Sequence, residues 1–306
     1  MVLEGAVLEG AIIYSNLLVL LGIGLTITYV TTGVPNFAQG SFAIFGSYVS
    51  LSLLYLADVH PYYSLPITFA FGGLLGTIVY LGVLKPLLAR GAGVVILMVA
   101  TLTADLIMLG SLGAYSDYLA AITKRSAKKF IFTPYDFEVF GSPAIFAVSA
   151  LVIAVMLVGL FLLLYRTKFG IALRASMENP ALSEIMGVDV EKARIFSWIL
   201  SGALASTAGA LLPFRQEIVP AGGALIIVSI FATSIVGGLT SIFGALVGGY
   251  VIGMSESLVT YELTSVFGTG VLLYAKVVSL VILAFTLAFA PKGLTGIRWR
   301  RSRRSI

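Results

Sequence analysis

Three charged side chains sit inside long apolar runs and are the residues most able to do chemistry here: Asp105, Glu256 and Lys276. A charge at membrane depth is costly, so it is normally paired or functional. The sober reading is a structural ion pair of Lys276 with Asp105 or with Glu256; a substrate-recognising carboxylate is the other. Two glycine-rich elements come next, 33–40 and 237–244. Such elements break helices and expose backbone groups, which a central cavity can use. The candidate cavity-lining residues are therefore Asn36, Phe37, Gln39 and Gly40 with Gly237, Gly238, Thr240 and Ser241. The amides of Asn36 and Gln39 either satisfy freed backbone groups or face a substrate, and the cavity reading is preferred. Gly244, Gly248, Gly249 and Gly253 read as close helix packing.

Other chemistry is excluded. The sequence has no cysteine and one histidine, His60, which removes disulfides, thiolate nucleophiles and His- or Cys-based metal clusters. No Gly-Lys dipeptide occurs, so no Walker A loop exists in the chain. No cofactor or metal is expected, and an intramembrane enzyme is disfavoured.

The elements that must position these residues are membrane spans. Of 306 residues, 59% are hydrophobic and 11% charged, with a mean hydropathy of +1.05. Soluble domains keep about a quarter of their residues charged, so lipid must be the solvent for most of this chain. With about 20 apolar residues needed per crossing, spans fall at 11–30, 37–56, 65–84, 94–113, 143–165, 195–213, 222–237, 242–258 and 271–290. The seventh and eighth read as two short or broken helices separated by 237–241. The fold class is thus an all-α polytopic transmembrane bundle of about eight or nine spans, one transmembrane domain over 1–306.

Lys and Arg set the orientation. With the C-terminus inside, the inner segments hold 13 of the 19 basic residues, including Arg298, Arg300, Arg301, Arg303 and Arg304. That basic end reads as a cytoplasmic tail beside anionic lipid, not a nucleic-acid site. The exception is the segment 114–142, placed outside despite Lys124, Arg125, Lys128 and Lys129; it is long enough to pack as a small cap. The inner segment 166–194 carries apolar residues at helical spacing between charges. Asn179 or Ser176 can cap a short helix opened by Pro180, and Gly187 suits its stop.

This inner segment resembles the cytoplasmic signature of ABC importer permeases of the branched-chain amino acid class. It reads Arg166-Thr167, Gly170, Ala172-Leu173-Arg174-Ala175, Glu178-Asn179-Pro180 and Met186-Gly187-Val188-Asp189-Val190. Three further stretches agree: Gly33 to Gly40 with Phe42 and Gly46-Ser47-Tyr48; Gly237 to Ala245 with Gly248, Gly249 and Glu256; and Ala290 to Gly296. Gln39 stands where the family more often has His, so no proton chemistry is assigned there, and Thr240 departs from the usual second glycine. The Pro-Asn-Phe-Ala form is more similar to LivH-type than to LivM-type subunits.

The resemblance implies a plasma-membrane permease subunit that imports branched-chain or related hydrophobic amino acids by alternating access. It implies a second, LivM-like permease, two cytoplasmic ATPase subunits and an extracytoplasmic binding protein. Coupling to the ATPase is expected at Gly170, Leu173, Arg174, Met177, Glu178, Asn179, Pro180, Met186 and Gly187, with Leu173, Met177, Ile185 and Met186 inserting into the motor. Relatives with this architecture also move urea, short amides or sugars, and a stand-alone secondary transporter or channel is the competing class.

Overall fold

The computed structural model describes residues 5–139 and 141–296, and helices dominate it. The helices are α1 (Gly5–Thr32), α2 (Gln39–Ala57), α3 (Leu65–Val79), α4 (Lys85–Ala89), α5 (Val94–Thr123), α6 (Ala144–Arg166), α7 (Lys168–Glu178), α8 (Pro180–Ile185), α9 (Val190–Leu211), α10 (Gly222–Gly237), α11 (Ile242–Phe267) and α12 (Ala275–Phe289). Seven helical stretches are long and apolar enough to cross a membrane, with α10 and α12 as shorter apolar helices. Every expected span coincides with one of these. The bundle's near end is the one where α1 begins, and its far end carries α7 and α8.

Three boundaries differ from expectation. Helix α5 continues to Thr123, so the first ten residues of the 114–142 segment are helix and not loop. Helix α11 is 26 residues long, so of the two helices expected to be short only α10 is. The last span begins at Ala275, after a 3-10 turn over Thr269–Tyr274. Apolar counting cannot see any of these ends, because polar residues such as Asp117 and Glu262 continue a helix as readily as they leave it.

Helix α1 is the hub. It is apolar on all sides and 89% of its most apolar window is buried, against 22% for α6. A helix without a polar face belongs in the middle of a bundle. Helices α9, α10, α11 and α6 pack around it. Small residues let these helices approach closely. A Cβ on Gly202 of α9 would overlap the Gly72 carbonyl of α3. The turn between α10 and α11 is equally tight, because Gly237 and Gly244 each lie against the other's carbonyl. Without a hydrophobic drive between helices in lipid, this van der Waals fit is what holds them.

The third span runs from Pro61 to Ala89 and is not uniform. A π-helical segment, Tyr80–Leu84, joins α3 to α4 just ahead of Pro86. Proline offers no N–H and crowds the preceding turn, so the ladder adjusts locally instead of breaking. At the near end, residues 124–143 fold back over the helix ends. Phe130 pairs with Ile218 as an isolated bridge, Tyr48 donates to the Ala127 carbonyl at 2.8 Å, and Tyr62 stacks on Phe214 at 4.5 Å.

Candidate functional site

The buried charges resolve first. Lys276 on α12 pairs with Glu256 on α11. Glu256 is 4% exposed, and its carboxylate also accepts from the Tyr14 hydroxyl at 3.0 Å, Ser229 at 2.7 Å and Ser279 at 2.6 Å. Lys276 donates to Tyr14 as well, at 2.6 Å. One carboxylate thus ties together α1, α10, α11 and α12, with every lone-pair direction occupied. Low dielectric makes such a network strong when complete and costly when broken. Asp105 lies elsewhere. It is half-buried on α5, accepts from Ser41 of α2 at 2.6 Å, and has no cationic partner among the described residues. Of the two expected pairings, the structure therefore has Lys276 with Glu256.

Tyr14, Ser229 and Ser279 were not legible as members of this site. Ser279 follows Lys276 by three residues, which places both on one helix face. Nothing in the sequence links Tyr14 or Ser229 to position 256.

The break at 33–40 is a packed joint in this conformation. Asn36 and Gln39 are fully buried. The Asn36 amide donates to Gln39 Oε1 at 3.1 Å, and its own oxygen accepts from the Ala38 N–H at 3.1 Å. Gln39 donates to the Leu21 carbonyl of α1 at 3.4 Å and accepts from Ser201 of α9 at 2.9 Å. The start of α2 is thus clamped between α1 and α9. Phe37 donates its N–H to Thr101 and its ring tilts against Phe231 at 4.9 Å; Gly40 abuts the backbone of Gly223. The amides face helices here and not a cavity, because freed backbone groups at a helix start need partners where no water reaches.

The 237–244 element has the same character. Gly238 takes a φ of +105°, which favours glycine. The Gly237 carbonyl accepts from Thr295 at 2.8 Å, and Ser241 caps α11 by accepting from the Gly244 N–H at 3.0 Å. Thr240 is exposed at the turn.

At the far end the inner segment forms two short helices, the second opened by Pro180 as expected. Thr167 caps α7 and Asn179 caps α8, accepting from Gly170 and Leu182 N–H at 2.9 and 3.1 Å. Pro180 opens α8, and Gly187 closes the unit with a φ of +83°. Asp189 then caps α9, and the backbone N–H of Lys192 holds its carboxyl below the usual carboxylate range. Gly170 sits directly on the Leu163 carbonyl, and Arg174 lies over the Tyr165 ring at 4.3 Å.

The exposed apolar set differs from expectation. Leu173 is buried and Met177 packs against the core, so neither is free to dock. These side chains seat α7 on the bundle. The surface that remains is Ile171, Leu182, Ile185 and Met186, the last two 81% and 76% exposed, beside exposed Glu178 and Asn179. The arginine-rich stretch from Arg298 to Arg304 lies outside the described residues.

A cavity of about 1060 Å³ opens at the near end. It lies between the start of α1, the segments around Thr133–Pro143 and Phe214–Gln216, and the end of α11, with Tyr14 and Glu256 in its wall. None of the candidate cavity-lining residues named above lines it. Among the described residues, no group of His, Cys, Asp and Glu could hold a metal ion.

Comparison with known proteins agrees with the architecture. The family described as branched-chain amino acid transport system / permease component matches residues 7–287. The probable branched-chain amino acid transport permease protein LivH of Methanocaldococcus jannaschii is 62% identical, covering 99% of this chain and 96% of its own. The permease protein BraD of the Pseudomonas aeruginosa high-affinity branched-chain amino acid transport system is 27% identical, covering 90% and 91%. LivH of Escherichia coli K12, the corresponding high-affinity permease protein, is 25% identical over 90% of each chain. No solved structure matches this chain. A multi-span helical bundle matched over nearly its whole length by this model and these relatives belongs to the branched-chain amino acid transport permease family, as a membrane subunit of an ABC importer and not an enzyme.

Proposed function

We propose that this chain pairs with a second, LivM-like permease and imports branched-chain or related hydrophobic amino acids. Two cytoplasmic ATPase subunits drive it, and an extracytoplasmic binding protein delivers the cargo. The near end then faces outward, and the far end with the C-terminus faces the cytoplasm, in keeping with the distribution of Lys and Arg.

The observation that carries this reading is the apolar tip of α8. Ile185 and Met186 project from a short, well-capped helix with nothing against them in the isolated chain. An exposed apolar pair on a rigid support is an interaction surface. Its seat on α6 and α9 through Gly170, Leu173 and Met177 would carry a push from the motor into the bundle. The two glycine-rich turns, 33–40 and 237–241, serve as joints about which the helices rearrange.

The test is uptake of L-leucine, L-isoleucine and L-valine into liposomes holding the complete importer. Uptake should require ATP and the ATPase subunits. Accumulation by this chain alone, driven by an ion gradient, would refute the reading.

A further inference from the structure

The near-end cavity contains polar groups whose bonding capacity the fold uses only in part. Thr260 on α11 lines it and is 6% exposed; its hydroxyl oxygen is turned away from the open space and has no hydrogen-bond partner, so a rotation about its Cα–Cβ bond would present it to the cavity. A buried hydroxyl left unpaired costs stability unless something else supplies its partner. Arg215 also lines the cavity. Its Nε donates to the Gly10 carbonyl at 3.4 Å, and no carboxylate among the described residues lies within ion-pair distance. Glu9 lies in the same wall, with one oxygen accepting from Ser142 at 2.6 Å and no cationic partner among the described residues. Glu256 is there too, but its oxygens are already occupied. Ile13, Ile145 and Leu272 supply an apolar wall.

Free groups of both signs, an idle hydroxyl and apolar lining describe a receptor for a small zwitterion. A guanidinium offers two parallel N–H donors to a carboxylate. A glutamate oxygen and a hydroxyl can accept from an ammonium group. We propose that this cavity receives a free α-amino acid, with its carboxylate at Arg215, its ammonium group at Glu9 and Thr260, and its side chain on the apolar wall. The proposal rests on the amino-acid import reading and gives that reading a site within this chain. The cavity is wider than one amino acid needs, which suits loose capture; a path that held its cargo tightly would not release it.

The test uses the assembled, nucleotide-free importer in phosphatidylglycerol nanodiscs and saturation-transfer NMR on three probes. These are L-leucine, L-leucinol, which lacks the carboxylate, and 4-methylpentanoate, which lacks the ammonium group. The leucine methyl signal should saturate and exceed either analogue at least threefold. Arg215→Gln and Glu9→Gln should each lower it to the analogue level, Thr260→Val should halve it, and Arg215→Lys should keep part of it. Each variant is first checked for assembly and an unchanged unfolding temperature, with the conservative Arg215→Lys deciding if Arg215→Gln fails that check. A signal untouched by these substitutions, or equal for all three probes, overturns the proposal. So does a signal suppressed in phosphatidylethanolamine nanodiscs, where a zwitterionic lipid headgroup would be the occupant. Leucine uptake by the wild-type importer is scored separately. Normal uptake with no saturable signal removes the site and leaves the import reading, whereas a saturable signal without uptake keeps the site and removes that reading.

Discussion

Removing Lys276 should damage this protein more than removing its partner, and the difference follows from burial. The Glu256 side chain is 5% exposed and that of Lys276 is 27% exposed. In Lys276→Met the carboxylate stays buried with three hydroxyl donors, from Tyr14, Ser229 and Ser279, and no cation. Breaking a buried pair from one side costs about 3–5 kcal/mol. The three charge-assisted hydrogen bonds remain and hold the loss near the lower figure, about 3 kcal/mol. In Glu256→Gln the ammonium group keeps Tyr14 and is the more exposed of the two partners. That greater exposure then reduces the loss to about 2 kcal/mol. The double variant carries no uncompensated charge and should recover to within about 1 kcal/mol of the parent. The assay is thermal unfolding and monodisperse yield of the purified chain across the full double-mutant cycle. A double variant as unstable as Lys276→Met would refute the pairing. A cycle in which Glu256→Gln is the worse single would refute the burial argument.

Three further outcomes are expected. Gln39→Leu removes the partner of the Asn36 side-chain N–H and of the Ser201 hydroxyl, and the second donor on the Leu21 carbonyl, in the joint between α1, α2 and α9, at about 1–3 kcal/mol; an unfolding temperature shifted by less than a degree would show that the amide is not a clamp. Ile185→Asp with Met186→Asp should lower ATP-driven uptake at least tenfold while the chain stays folded, whereas Leu173→Asp should instead abolish folded yield; coupling that survives the first pair argues against α8 as the docking tip. Cysteines placed at the exposed positions Ser126 and Glu184 should differ in intact cells, the first labelled by an impermeant thiol reagent and the second protected; the reverse pattern would invert the proposed orientation.

The sequence by itself determined the spans. Lipid cannot hydrogen-bond a backbone, so a crossing segment must be a long apolar helix, and that requirement is written in composition alone. All nine spans were legible for that reason, as was the cap at Asn179, whose side chain reaches the N–H three residues on; the caps at Thr167 and Asp189 emerged only with the structure. Only the tertiary structure decided which charges meet. Depth in the membrane could not separate Asp105 from Glu256 as the partner of Lys276; that choice depends on which helices are neighbours and how each is rotated. The same holds for Asn36 and Gln39. Their amides mark a helix start, but whether they face cargo or neighbouring helices depends on Gly24 of the preceding helix and on Ser201, far away in sequence. Leu173 and Ile185 look alike as apolar residues on an amphipathic segment, yet one is buried and the other bare. The turn at Asn179 separates them, and only the packing of α7 on the bundle says which side is used. The near-end cavity has no sequence signal at all, because Glu9, Arg215 and Thr260 are brought together from three distant stretches by the way α1, α11 and the folded-back loop close on one another.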